Sequence, residues 1–471
     1  GFNKWAASKG YDLKTNQKLS STPMWSPRVG FRWDINNDRK FILRGGVGIF
    51  TGRIPFVWLS NNFQNTGVQT STFQVNSGKA PKNLQLIMDP NKQTQNSENL
   101  QAKSDQLVNV FDKKFKFTQT LRFNLGFDFN VLGIDWTAEA IYSKTLNDIY
   151  YKNLAYEATG KTFNEVNGEA AGATFDNRPM FNSVVSDVPY KNVYALYNAT
   201  KGYTYSLSLQ ATKRFNFGLD LSASYTYTKS KSVNSGTSSV AASNFNNNFT
   251  HANPNSPELA NSGYNIPHIV KASAFYHVNW GPSKLFKTTV GLIYQGQSGS
   301  PYSFKYYGDI NGDGSNGNDL IFIPTDAQID QMNFIGSKAY TAEQQKANLK
   351  QWLGSTRYVK DHRGEYFERY ADNLPFEGHF DFHFDQKFGI KVGKMVHNLE
   401  VSFDVMNVAN LLNKKWGRTY SSSYNSEFVA PITYDARKKG YQFTHEGDWE
   451  AFSPSDYYSR WRGQIGVKYT F

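Results

Sequence analysis

Hydrophobic side chains in this chain recur at every second position, in segments longer than the usual soluble strand. The closing segment, 460–471, is the sharpest case. Trp461, Gly463, Ile465, Val467, Tyr469 and Phe471 share one face, while Arg462, Gln464, Gly466, Lys468 and Thr470 share the other. Successive strand side chains point to opposite faces, so one face is apolar and aromatic and the other hydrophilic and cationic. A soluble sandwich also alternates. Rings at both ends of the apolar face, with the chain stopping on Phe471, suit a strand crossing a thin membrane. Lipid then lies outside, water inside, and aromatic belts mark the two interfaces.

The same alternation repeats along the chain in pairs. Val29, Phe31, Trp33 and Ile35 turn at 36–38 into Phe41, Leu43, Val47 and Ile49. Phe115, Phe117, Leu121, Phe123, Leu125, Phe127 and Phe129 turn at 131–133 into Ile134, Trp136, Ala138, Ala140 and Tyr142. Tyr203, Tyr205, Leu207, Leu209 and Ala211 turn at 216–218 into Leu219, Leu221, Ala223, Tyr225 and Tyr227. His268, Val270, Ala272, Ala274, Tyr276, Val278 and Trp280 turn at 281–282 into Val290, Leu292 and Tyr294. Phe380, Phe382 and Phe384 turn at 389–393 into Leu399, Val401, Phe403 and Val405, with Val408 as an extension.

With the terminal segment, about eleven strands are predicted, and their connections alternate between tight and long. A soluble sandwich or propeller predicts no such segregation of loop lengths. The chain therefore reads as all-β, a transmembrane antiparallel β-barrel filling residues 1–471.

Composition agrees. Aromatics make up 16% and charged residues only 19% of the chain, yet mean hydropathy is −0.58. No apolar run approaches the roughly 18–20 residues a membrane helix needs. A barrel reconciles these facts, because half of each strand faces a polar lumen. The absence of cysteine excludes disulfides and thiolate metal sites. A net charge of +12 raises nucleic acid as a partner, but Lys and Arg are scattered without helix-turn-helix or zinc-finger spacing, so no nucleic acid is expected.

Eleven is odd, and a single-chain antiparallel barrel normally closes with an even number of strands. Two free edges in hydrocarbon would cost roughly tens of kcal/mol in unpaired backbone groups. The expectation is the C-terminal half of a longer barrel, with its opening residues lying inside a loop. If the C-terminus is periplasmic, every tight turn falls on that side, and residues 1–27 and the long connections are extracellular.

Several motifs carry a family likeness. SPRVGFRWD at 26–34 and LRGGVGIFTGRIPFVW at 43–58 resemble TonB-dependent outer-membrane receptors of Bacteroidetes, in particular the Oar-like subgroup with a carboxypeptidase-regulatory-like N-terminal domain. YQGQSGSP at 294–301, DINGDGSNGNDLIFIP at 309–324, RGEYFER at 363–369, FDVMNVANLLN at 403–413 and SRWRGQIGV at 459–467 are similar too. The resemblance implies a 22-stranded barrel around an N-terminal plug, powered through TonB. This chain would supply the last eleven strands. The plug, the TonB box and the first barrel half have no counterpart in the sequence.

Asp309, Asn311 and Asp313 place oxygen donors at alternate positions, Gly314 allows a sharp turn, and Asp319 closes the run. That spacing resembles the start of a Ca²⁺ loop, although the closing acid stands eleventh rather than twelfth. A Gly/Asn-rich exposed turn is the other reading. Downstream, Thr325 with Gln328 and Thr341 with Gln344 read as capping boxes, and Gly354 as a helix stop. Two short helices are therefore expected in an ordered loop, a lid or docking surface over the pore mouth.

Glu377, His379, Asp381, His383 and Asp385 share the face opposite the Phe row of their strand. They form either a lumenal metal or substrate site or an ordinary hydrated wall. The rings of Trp58, Tyr150, Tyr151, Trp352 and Trp416 are candidates to stack on sugars or peptides. Packing between loop bases and interfacial belts explain them as well.

No nucleophile, zinc-protease or P-loop pattern occurs, so no enzymatic activity is expected. Three functions remain. One is TonB-dependent uptake through a plugged barrel in a Gram-negative outer membrane. The second is a docking component for a surface lipoprotein or other outer-membrane proteins. The third is a passive porin. Partners common to all three are the membrane lipids, and the first adds the missing barrel half, the plug and TonB.

Overall fold

The computed structural model describes residues 1–67, 87–92, 106–188, 190–354, 357–421, 427–446 and 452–471. Part of the long polar segment expected between Thr51 and Lys114 lies outside these residues. One antiparallel meander organises the chain. Its wall strands are β1 (Arg28–Asp34), β2 (Phe41–Thr51), β3 (Gln119–Val131), β4 (Ile134–Asn153), β5 (Tyr203–Arg214) and β6 (Leu219–Ser232). The path continues through β7 (His268–Trp280), β8 (Phe286–Gln297), β9 (Glu377–Val392), β10 (Met395–Met406) and β11 (Arg462–Thr470). Each pairs with the next in order.

Register follows the alternation. Leu399, Val401 and Phe403 of β10 stand opposite Tyr469, Val467 and Ile465 of β11, while Glu400 stands opposite Lys468. Val290, Leu292 and Tyr294 of β8 face Phe384, Phe382 and Phe380 of β9. A slip of one residue would turn each apolar row into the lumen. The tight turns between paired strands fit the same twist. Leu132 and Gly133 both carry positive φ, as a two-residue hairpin requires. Gly218 ends the β5–β6 turn at φ +98, against the next strand; a Cβ there would lie 2.2 Å from the His277 carbonyl oxygen.

Burial along the wall is inverted relative to a soluble sheet. Val29, Phe31, Leu125, Leu207, Leu292 and Val467 are exposed, and Ile465 is 73% exposed. Ala211, Ala223 and Ala272 align across β5, β6 and β7 and line a shallow, almost wholly apolar hollow on this face. Such a band needs hydrocarbon as its solvent. Among the described residues no helix is long and apolar enough to cross a membrane. The sheet is not closed: β1 pairs only with β2, and β11 only with β10, among the described residues.

Three details differ from the sequence reading. Phe115 and Phe117 precede β3, and Phe115 is buried in the loop region. Val408 begins a short helix, Val408–Leu412, because Asn407 takes φ 54 and breaks β10. β4 runs far beyond Tyr142. Its residues 135–144 pair with β5, and its residues 148–153 pair with Tyr190–Ala199. It thus leaves the wall and enters a second region.

That second region is a cap built from the long connections, and it holds the buried core. One cluster joins Phe163, Phe249, Tyr302, Phe304, Trp352, Phe367, Ile432 and Phe443, drawn from four connections. A second joins Phe2, Trp5 and Leu13 near the N-terminus to Val108, Leu154 and Val193. A third centres on Trp58, Phe111, Tyr151 and Phe245. Both expected capping boxes form, opening helices Asp326–Gln331 and Ala342–Trp352.

Candidate functional site in the loop cap

The segment 309–319 lies in the cap, in the connection between β8 and β9. Its short polar side chains bond to nearby backbone, which coils the chain tightly. The Asp309 carboxylate accepts from the N–H groups of Gly312 (2.7 Å), Asp313 (3.2 Å) and Gly314 (2.8 Å). Asn311 Oδ1 accepts from Asp313 N–H at 2.9 Å, and Asp313 Oδ1 from Ser315 N–H at 2.7 Å. Gly314 has φ +81, and a Cβ there would lie 2.3 Å from the Tyr156 ring. Only glycine fits that turn.

The coil is not an exposed turn. Asn311, Asp313, Ser315, Asn318 and Asp319 are all buried, and Asp309 is half-buried. Neighbouring connections close over it. Phe181 N–H donates to the Asn311 carbonyl at 2.9 Å and Thr250 N–H to the Asn318 carbonyl at 2.8 Å. Asp319 Oδ1 stands 3.5 Å from Nη1 of Arg178, itself fully buried and bonded through Nε to Asp176 at 2.9 Å. Burial raises the Asp309 carboxyl above its usual range despite the three N–H donors. Burial, and then the charge of Asp309, push Asp313 up to about 7. Asp319 is raised well above its usual range by burial and by Asp313, which outweigh Arg178. The buried Arg178 guanidinium thus lies between the carboxylates of Asp176 and Asp319, with Asp309 and Asp313 close by in the coil.

The sequence reading named Asp309, Asn311, Asp313 and Asp319, and the structure brings them into one coil. It missed Asp176, Arg178 and Asn318. Arg178 has no local signal, because it reaches the coil from another connection. The RGEYFER motif did hold one. Arg363 Nε donates to the Pro324 carbonyl at 2.7 Å, Tyr366 Oη to Asp176 at 2.7 Å, and Arg369 to the Val233 carbonyl at 2.7 Å. The motif is a set of fasteners between connections.

The row from Glu377 to Asp385 lies on the lumenal face of β9. Its upper members fasten the last connection to the wall. Tyr420 N–H donates to Glu377 at 3.0 Å, His379 Nε2 lies 3.1 Å from Thr419 Oγ1, and Asn407 N–H donates to Asp381 at 2.7 Å. His383 Nδ1 lies 2.6 Å from Asp404 Oδ1 across β10. With Phe275, Ile293 and Gln464, these two line a lumenal hollow of 390 Å³. Asp385 is half-buried on the same face. Among the described residues, no three His, Asp or Glu side chains form a metal-holding group.

The exposed-ring expectation is corrected at three positions. Trp58, Tyr151 and Trp352 are buried in the cap's cores, and Trp58 Nε1 donates to the Ser238 carbonyl at 2.7 Å. Tyr150 stacks on Tyr197 with ring centroids 5.9 Å apart. Trp416 alone of the five is largely free, at 54% exposed.

A lipid-facing antiparallel wall with a polar inner face and folded loops at one end defines an outer-membrane β-barrel protein. The chain belongs to the outer membrane beta barrel domain family, which matches residues 6–436. No curated protein matches it. Solved structures similar to it include the outer membrane transporter YddB from Escherichia coli, at TM-score 0.37 and 11% identity over 82% of this chain and 37% of that one. The siderophore receptor PirA from Acinetobacter baumannii gives TM-score 0.34 and 10% identity, over 82% and 37%. The ferric enterobactin receptor PfeA from Pseudomonas aeruginosa gives 0.35 and 10%, over 82% and 35%. The chain spans little more than a third of the length of these structures.

Proposed function

We propose that this chain is the C-terminal half of a larger, plugged barrel that takes up a substrate across the outer membrane in a TonB-dependent manner. The two unpaired edges carry the reading. Each edge left in hydrocarbon strands backbone N–H and C=O groups at several kcal/mol apiece. Further strands docking on β1 and β11 remove that cost, and a 22-strand barrel places the present eleven last. The C-terminus is then periplasmic, and the cap covers the outer mouth. The Oar-like motifs support a plug inside the bore and coupling to TonB.

In this arrangement substrate enters past the cap, whose exposed rim includes Trp416, and the row from Glu377 to Asp385 lines part of the bore. A docking role is the second reading. It is supported by Leu411, Leu412, Trp416, Tyr457 and Tyr458, which stand exposed in the connection leading to β11. That surface suits a lipoprotein or another outer-membrane protein.

Planar-bilayer recording of the complete gene product in KCl separates these readings without knowledge of the substrate. A plugged transporter is closed until its plug is deleted, and it retains the purified periplasmic domain of TonB. Steady conductance with no TonB binding identifies a porin. A closed protein that ignores TonB but co-purifies with a stable partner identifies the docking component.

A further inference from the structure

The coil at 309–319 encloses two acceptors that no hydrogen bond satisfies, although Arg178 Nη1 stands 3.5 Å from one of them, Asp319 Oδ1. Asp319 Oδ1 and Asn318 Oδ1 are both enclosed, in residues 1% and 0% exposed, and neither has a hydrogen-bond partner. A buried acceptor left without a hydrogen bond is destabilising, and more so when it is charged. Asn318 is held at the coil by its own amide, which donates from Nδ2 to Asp313 Oδ2 at 2.8 Å. Among the described residues, Arg178 is the cation paired with Asp176 and Asp319, and Asp313 is influenced by the neighbouring charge of Asp309. Lys305 is turned to the Gly317 carbonyl at 3.2 Å.

We propose that the coil 309–319 binds one Ca²⁺ ion, with oxygen atoms of Asp309, Asn311, Asp313, Asn318 and Asp319 as its ligands. Hard oxygen donors at alternate positions around a glycine turn are the chemistry that Ca²⁺ selects. Two of the five donors are amides, and backbone carbonyls complete such loops. Asp309, Asp313 and Asp319 do not by themselves form a metal-holding group, so the two amides and backbone carbonyls must complete the shell. The bonds to loop N–H groups leave room for the ion at Asp309 Oδ2 and Asp313 Oδ1, which each accept one such bond. Each carboxylate oxygen has two lone-pair directions, and most of the bonds described use one. Mg²⁺ demands a smaller octahedral shell and keeps its water, so it suits the coil poorly.

The ion would act as a rivet in the cap. Asn311 is bonded to Phe181, Asn318 to Thr250, and Asp319 to Arg178, so three connections meet at the site. Occupancy fixes all three together.

Tb³⁺ luminescence tests this on the whole protein in detergent. Tyr156 lies against the coil at Gly314 and serves as a native sensitiser. Tyrosine excitation is expected to give Tb³⁺ emission that Ca²⁺ displaces and equimolar Mg²⁺ does not. Asp313→Asn is expected to weaken Ca²⁺ more than about tenfold, as loss of one charged ligand does. Should that variant misfold, the wild type still decides the matter: its cap is expected to resist protease in Ca²⁺ and to be cut in chelator. Absence of sensitised emission, emission unchanged in a folded Asp313→Asn protein, or identical proteolysis with Ca²⁺ and with chelator each overturns the site.

Discussion

The wall and the cap solve opposite problems with the same kinds of side chain. In the wall, Leu292 and Ile465 point outward and stay exposed, because the bilayer is their partner. In the cap, Trp352 and Phe304 are fully buried against each other, with ring centroids 5.3 Å apart. The wall is held by a continuous hydrogen-bond ladder, and its side chains contribute mainly by matching the solvent on each face. The cap has short strands and short helices, so it depends on a packed core as a soluble domain does. Arrangements that carry function are drawn from this second region, where neighbouring connections meet.

That contrast breaks if a core truncation in the cap is mild. Trp352→Ala removes the largest fully buried side chain of the main cluster, and a loss of about 3–5 kcal/mol is expected. Hydrogen exchange on the protein in detergent is the measurement. Amides of 342–352 and 441–443 should lose protection, while those of β7 and β8 keep theirs.

The wall should fail to the opposite kind of change. Leu292 sits midway along β8, between Ala274 and Phe382 on the outer face. Leu292→Arg places a charge in hydrocarbon and is expected to cost about 2–4 kcal/mol. Leu292→Ala should cost far less than a buried Leu→Ala change, because lipid fills the gap. Urea unfolding from phospholipid vesicles reads both. An Arg variant as stable as the parent would mean that this face does not meet lipid.

The two regions were also unequally legible. Period-two patterning alone places the wall, since a half-lipid, half-water environment writes itself into every second residue, as from His268 to Trp280. Strand ends were less readable. β4 continues past Tyr142 because its partner changes from β5 to Tyr190–Ala199, and that choice is made by the cap's tertiary packing. Within the cap, only local chemistry was visible. The capping boxes at Thr325 and Thr341 and the oxygen spacing from Asp309 to Asp319 are short-range patterns, and the structure contains all of them. Arg178 beside Asp319, and the burial of Trp58 and Trp352, depend on connections far apart in sequence.

The smallest test asks whether wall and cap unfold as one unit. Thr341 Oγ1 accepts from Gln344 N–H at 3.2 Å, and Gln344 Oε1 accepts from Thr341 N–H at 2.9 Å. This pair satisfies two donors at the start of helix Ala342–Trp352. Thr341→Ala is expected to cost about 1 kcal/mol. The helix is pinned at its far end by Leu349 and Trp352, so the loss should stay in its first turn. A change of that size speeds exchange of those amides about fivefold if they open locally. No change is expected in β7 or β8. Equal acceleration in the wall strands would show that the cap's stability is transmitted to the sheet, and that the two regions fold as a single cooperative body.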